Sequence, residues 1–146
     1  MADLTHVERL VGAWDIPLGD ASGTMTLEPV LAGTAFLQRS TIPVPSAPEA
    51  LSIIAVDQVR DRLLMHYFDD RGVTRLYVMT IDEDGWTLTR DEADFTRLPF
   101  RQRFSATFED GGDTIRGRWE RTDPGPDGDW MIDFDLVYRR RAGTAA

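Results

Sequence analysis

Arg75 and Tyr77, a guanidinium and a phenol two residues apart, and the imidazole of His66 are the groups in this chain best suited to hold or change a small molecule. Residues two apart in a strand face the same way. Arg75 and Tyr77 can therefore present a fork and a hydroxyl to one carboxylate or enolate oxygen, the alternative being an Arg-Tyr pair on a solvated strand face. His66 is the one candidate general acid or base, because an imidazole titrates near neutrality; the competing reading is a hydrogen-bonded core histidine. Asp69 and Asp70 could orient it, and they are equally what a turn uses, since Asp bonds its own backbone.

These residues sit in the stretch from Arg62 to Thr80, two apolar runs joined by Asp69-Asp70-Arg71-Gly72. A type I turn with Gly72 in the left-handed region as a bulge sets Tyr67 opposite Arg75, on the face of Tyr77 and Met79. A four-residue loop sets His66 opposite Arg75 instead. A slip of one residue exchanges every side chain between faces, so both registers stay open at this level.

The elements that must position this hairpin are mostly strands. Thr5-His6-Val7-Glu8 has the form of a capping box, and Val7, Leu10 and Val11 follow at helical spacing, which predicts a short amphipathic helix over residues 4 to 11. From Trp14 onward the period is two. Strands are expected at 13–17, 23–29, 34–41, 51–57, 62–69, 73–81, 85–90, 101–109, 113–121 and 130–140, separated by turn residues. Residues 1–146 thus read as one all-β domain, a ten-stranded antiparallel up-and-down barrel that leaves no exposed edge, with 142–146 as a disordered tail. Alternate connections share a rim. Those at 17–22, 42–50, 69–72, 91–100 and 122–129 form a mouth, and the short ones at 30–33, 57–61, 82–84 and 110–112 form the other end, which the helix would plug through Val7, Leu10 and Val11.

Alternation assigns inner faces: Trp14 and Ile16, Met25 and Leu27, Trp86 and Leu88, Phe104 and Phe108, Ile115 and Trp119, and Trp130, Ile132, Phe134 and Leu136. Thr24, Thr26, Thr87, Thr89, Arg116, Arg118, Asp133 and Asp135 face water. The same phases bring Arg90, Gln102 and Gln38 inward. An inward arginine is costly unless paired, so Arg90 implies an acidic partner or a ligand group, or else a strand that ends before it.

Composition removes several chemistries. The chain has no Cys, which excludes cysteine nucleophiles and thiolate metal sites; Lys is also absent, so there is no Schiff-base lysine. A net charge of −9 opposes nucleic acid and anionic membrane surfaces. No apolar run is long enough for a membrane span and no signal peptide is evident, so a cytoplasmic address is expected. His6 and His66 are the only histidines and have no ligand partner at a recognised spacing, so neither metal nor other cofactor is expected. There is no Gly-x-Ser-x-Gly elbow. The acidic run Asp123 to Asp129 departs from the calcium-loop pattern and reads as a solvated turn.

Gly12-Ala13-Trp14 near the start and Arg139 to Arg141 in the last strand resemble the lipocalin arrangement of a Gly-x-Trp under a late arginine. With the Leu-Val-Gly-x-Trp run, the mid-chain Asp-x-x-Gly turn and the terminal Tyr-Arg, the layout is similar to an uncharacterised bacterial family of calycin-like barrels, related to lipocalins and fatty-acid-binding proteins. The resemblance implies a barrel for a hydrophobic ligand and supplies no catalytic residues. Arg75-Leu76-Tyr77 also resembles the carboxylate clamp of fatty-acid-binding proteins, which lies on later strands.

The expectation is a barrel binding a small, largely apolar molecule with one polar or acidic group, held by Arg75, Tyr77 and Arg90 and lined by Tyr67, Met79, Gln38, Phe104, Trp119 and Trp130. Its competitor is a cofactor-free isomerase or cyclase in which His66 moves a proton and Arg75 stabilises oxyanion charge. Apolar residues on the mouth loops, Ile42 to Pro45 and Phe95 to Phe100, suit a portal for such a ligand or a small contact between two copies.

Overall fold

The structure, a computed structural model, describes residues 1–143; of the predicted tail, 144–146 lie outside the described residues. Ten antiparallel strands close into one up-and-down barrel: β1 (Gly12–Leu18), β2 (Ala21–Val30), β3 (Ala35–Thr41), β4 (Ala50–Asp57), β5 (Arg62–Asp69), β6 (Thr74–Ile81), β7 (Gly85–Arg90), β8 (Gln102–Glu109), β9 (Thr114–Asp123) and β10 (Asp129–Arg140). Each strand pairs with its sequence neighbours and β10 returns to β1. All ten expected strands are present. Among the described residues no helix is long and apolar enough to cross a membrane.

The N-terminal segment differs from expectation. Thr5–Leu10 is a 3-10 helix preceded by Leu4, with no side-chain capping bond, so the capping box is not used. It still buries Val7 and Leu10 completely in the barrel core. Arg9 reaches the short β6–β7 connection, donating to the carbonyls of Asp82 and Glu83.

Closure is narrow. β1 and β10 pair only at Trp14↔Arg140 and Asp15↔Arg139, whereas β1 and β2 pair along the whole length of β1. Side chains reinforce the seam. Arg140 lies 4.2 Å over the ring of the fully buried Trp14 and donates to the carbonyls of Val11 (2.5 Å) and Arg9 (2.8 Å). Trp14 Nε1 donates to the Leu10 carbonyl at 2.9 Å, so one tryptophan joins the 3-10 turn, the first strand and the last.

The core follows the predicted alternation in most strands, with Trp14, Ile16, Met25, Leu27, Trp86, Leu88, Phe104, Ile115 and Leu136 all buried. β10 is the exception. A bulge between Ile132 and Phe134 inserts one residue and exchanges the faces of everything before it. Trp130 and Ile132, expected inside, are therefore outside: Arg103 and Arg101 lie 4.0 and 5.0 Å over the Trp130 ring, and Ile132 is 53% exposed.

Gly117 on β9 has a steric role. A Cβ there would overlap the Phe104 ring, so the absent side chain lets Phe104 lean across β9 between Trp86 and Trp119, with ring centroids 5.0 and 5.2 Å away. Gly117→Ala should overpack this cluster and cost about 1–3 kcal/mol. Urea unfolding measures it, and an unchanged midpoint would show that Phe104 is free to yield.

Candidate functional site

The β5–β6 hairpin adopts the register with the glycine bulge. Gly72 has φ +81°, its N–H donates to the Asp69 carbonyl at 3.0 Å, and Tyr67 stands opposite Arg75, Met65 opposite Tyr77 and His66 opposite Leu76. Tyr67, Arg75 and Tyr77 consequently face the interior and His66 does not. The imidazole lies on the outer wall in an aromatic stack, 4.3 Å from the Phe68 ring and 4.9 Å from the Phe95 ring, and its buried Nε2 has no hydrogen-bond partner among the described residues. His66 and Arg75 are thus on opposite sides of the sheet. The proton-shuttle pairing expected of them is not assembled at this cavity.

Inside the barrel is a cavity of about 350 Å³. The register builds one wall as a cross-strand row of polar side chains: Gln38 opposite Ser52, Ser52 opposite Tyr67, Tyr67 opposite Arg75. Gln102 faces them from β8, its Oε1 accepting from Tyr77 Oη at 3.1 Å and from an Arg75 guanidinium nitrogen at 3.3 Å. Arg121 stands opposite Gln102 on β9. The other wall is aromatic and continuous, running from Tyr77 to Trp119 (5.5 Å), Phe104, Trp86 and Tyr138 (6.1 Å from Trp86). Ile42, Pro48 and Phe100 reach the cavity from the long connections.

Of the residues expected to hold ligand, Arg75, Tyr77, Tyr67, Gln38, Phe104 and Trp119 line this cavity, whereas Met79, Arg90 and Trp130 do not. Met79 is in the core below, opposite Leu63 and Leu88. Trp130 is outside for the reason given above. Arg90 is inward and 2% exposed, but its charge is already matched: Nε and one terminal nitrogen form a fork with Asp94 at 2.8 and 2.9 Å, and the same nitrogen reaches Thr96 Oγ1. Asp94 also accepts from the Leu76 N–H at 2.9 Å. The pair therefore pins the 91–100 connection to the edge of β6 and leaves Arg90 no fork for a ligand.

Several lining residues were not among the candidates. Gln102 shares the phase of Phe104, a signal that was present. Arg121 and Ser52 follow from alternation once the registers of β9 and β4 are fixed. Asp133, expected outside, reaches the cavity rim because of the bulge. Among the described residues neither Arg75 nor Arg121 has an ion-pair partner, Asp133 included; both guanidiniums lie near the Phe100 ring, at 5.7 and 4.5 Å. Arg71, by contrast, is bound to Asp69 at 2.6 Å.

Burial raises the Tyr67 phenol far above its ordinary value, and its bond to Asp69 (2.8 Å) adds to the effect; burial likewise raises Tyr77 and Tyr138. These phenols stay protonated, and those of Tyr67 and Tyr77 donate to Asp69 and Gln102. Burial alone would raise Asp69 and Asp94, yet hydrogen bonds from Arg71 and Tyr67 to the first, and from Arg90 and the Leu76 and Thr96 N–H groups to the second, outweigh it and hold both carboxyls below 3.8. No group of three or more His, Asp or Glu side chains converges as a metal site among the described residues.

No protein-family model matches this chain, and no curated protein matches it either.

The Arg90–Asp94 pair is buried, so removing one partner leaves an uncompensated charge. Asp94→Ala should lose about 3–5 kcal/mol of stability at neutral pH by denaturant unfolding. Because the folded carboxyl titrates below its unfolded value, its contribution is complete above about pH 4 and fades as pH falls through the folded value. Asp94→Asn should therefore flatten the acid limb of the stability–pH curve, and an acid limb identical to wild type would exclude this role for the carboxylate.

Proposed function

We propose that this chain is a calycin-like barrel that binds a small, largely apolar molecule carrying one acidic group. The observation that carries the reading is the pair Arg75 and Arg121, two guanidiniums on the wall of the cavity with no carboxylate of their own among the described residues. A partly buried arginine without a counter-charge is costly, and an anion that accepts from its fork relieves that cost. Gln102 and Tyr77 support the arrangement, because Gln102 ties Arg75 and Tyr77 together and limits the side-chain entropy lost on binding. The aromatic wall receives the apolar body. Val7 and Leu10 close the narrow end, so the ligand passes between Ile42, Pro48 and Phe100 at the mouth.

Native mass spectrometry of the purified protein should reveal a retained small acid, and isothermal calorimetry with short aryl and alkyl carboxylates should give 1:1 binding. Charge-assisted hydrogen bonds contribute about 1.5–3 kcal/mol. Arg75→Met and Arg121→Met should each weaken carboxylate binding roughly 10- to 100-fold while leaving the corresponding neutral amides almost unaffected. Equal losses for acid and amide would count against an anion site.

A further inference from the structure

The outer wall of the barrel is divided into two unlike halves. On β8 and β9 the outward side chains are polar, and the ion pairs Arg103–Glu120 and Arg116–Glu109 run between them. On β4, β5 and β6 they are apolar. The register sets Leu37, Ile53, His66 and Leu76 in one outward row. Ala55, Leu64 and Val78 form the row below it, and Leu51 and Phe68 the row above. Their direction follows from their neighbours, since Ser52, Ile54, Met65, Tyr67, Tyr77 and Met79 face the interior, and the outward residues lie outside the core cluster. A strand with one face in water alternates apolar and polar residues. These three strands are apolar on both faces, which is the pattern of a sheet covered on both sides.

Phe95 extends this outer face. Its ring lies nearly parallel to that of His66, at an interplanar angle of 3° and a centroid distance of 4.9 Å, and His66 stacks in turn on Phe68 at 4.3 Å. Asp94, beside Phe95, accepts from both Arg90 and the Leu76 N–H, so the loop that carries the ring is fixed to β6. The ring nevertheless stays 60% exposed, and that of Phe68 37%. Aromatic side chains held in place but left in water are of the kind that carries binding energy at protein interfaces.

From this we infer that the outer face of β4, β5 and β6 is the contact surface of a symmetric dimer, packed on the same face of a second copy. Area supports that occupant. Four strands about 4.8 Å apart and three rows about 6.7 Å apart give the face roughly 400 Å². A standard interface takes about 800 Å² from each partner, of which a little over half is apolar, so the rows supply the apolar centre and their surroundings the polar rim. Charge selects the same face. The chain carries −9, and two copies repel where carboxylates meet. Among the described residues the three rows hold no Asp or Glu; Arg39 stands at their edge opposite Leu51, and Asp57 just below them is matched by Arg62. The same net charge opposes an anionic membrane as the cover. Two sheet faces pack about 10 Å apart, and a two-fold axis needs only one patch, used by both copies. The acid site lies on the inner side of these strands, so this contact stands independently of it.

Sedimentation-velocity ultracentrifugation of the full chain tests this. At about 100 µM, well above the dissociation constants of most interfaces of this size, wild type should sediment at twice the mass of one chain. Phe95→Glu and Ile53→Glu put a carboxylate on each side of the contact and should each weaken the dimer by at least about tenfold, with the fold checked by circular dichroism. Phe95→Ser, at the same exposed position, should weaken it in the same direction and serves if Ile53→Glu does not fold. Ser105→Glu, on the polar outer face of β8, should leave the dimer unchanged. A wild-type chain that is monomeric at this concentration gives the face to a different partner and overturns the proposal. So does a dimer that the Phe95 and Ile53 variants leave intact, or one that Ser105→Glu weakens as much as they do.

Discussion

Everything inside the barrel depends on a seam only two residue pairs long. A ten-stranded sheet left open would present two unpaired edges and an apolar face to water. Here β1 and β10 meet at Trp14↔Arg140 and Asp15↔Arg139, and so short a ladder has little strength of its own. Arg140 supplements it by covering the Trp14 ring and bonding two carbonyls of the N-terminal segment, while Arg141 pairs with Asp15 at 2.7 Å. The cation is useful there because its planar fork satisfies backbone acceptors and stacks on the indole at the same time. That contact adds to the bonds from Trp14 to Leu10 and from Arg9 to the β6–β7 connection in holding Val7 and Leu10 in the core.

Above the seam the architecture sorts arginines by their partners. Arg71 and Arg90 belong to carboxylates of their own loops, and in both cases the carboxylate also accepts backbone N–H bonds. They hold the 69–72 and 91–100 connections in place. Among the described residues Arg75 and Arg121 have no such partner, and both face the cavity. The distinction follows from the loops, since Asp69 and Asp94 are oriented by their own turn geometry and select the nearest guanidinium. A scaffold that satisfies some cations locally and leaves others at a concave apolar wall concentrates its recognition chemistry in the unsatisfied ones.

Legibility in the sequence followed the strength of the local pattern. The ten strands and the inward phase of Phe104, Trp119, Gln38 and Arg90 were readable because a period of two and turn residues are local properties. The helix over 4 to 11 was misjudged in kind, because Leu4 rather than Thr5 is the N-cap and no capping bond forms; of the three residues expected inward, Val7 and Leu10 are buried and Val11 is partly so. Trp130 and Ile132 were misplaced because a bulge leaves no mark in the alternation of Trp130-Met131-Ile132-Asp133-Phe134; only its pairing with β9 reveals the extra residue.

By itself, then, the sequence determined that Arg75 and Tyr77 share a face, that the chain folds as a meander of ten strands, and that thiol and lysine chemistry are absent. Tertiary structure decided which way that face points. The bulge at Gly72 sets the register, and the register sends Tyr67 inward and His66 out between Phe68 and Phe95. Tertiary structure also gave Arg90 to Asp94 and brought Arg121 and Gln102 opposite one another from separate strands. The physical reason is common to all three. Side-chain direction within a strand is fixed by the two-residue repeat, whereas register and partners are fixed across strands, by hydrogen bonds between segments that are far apart in the chain.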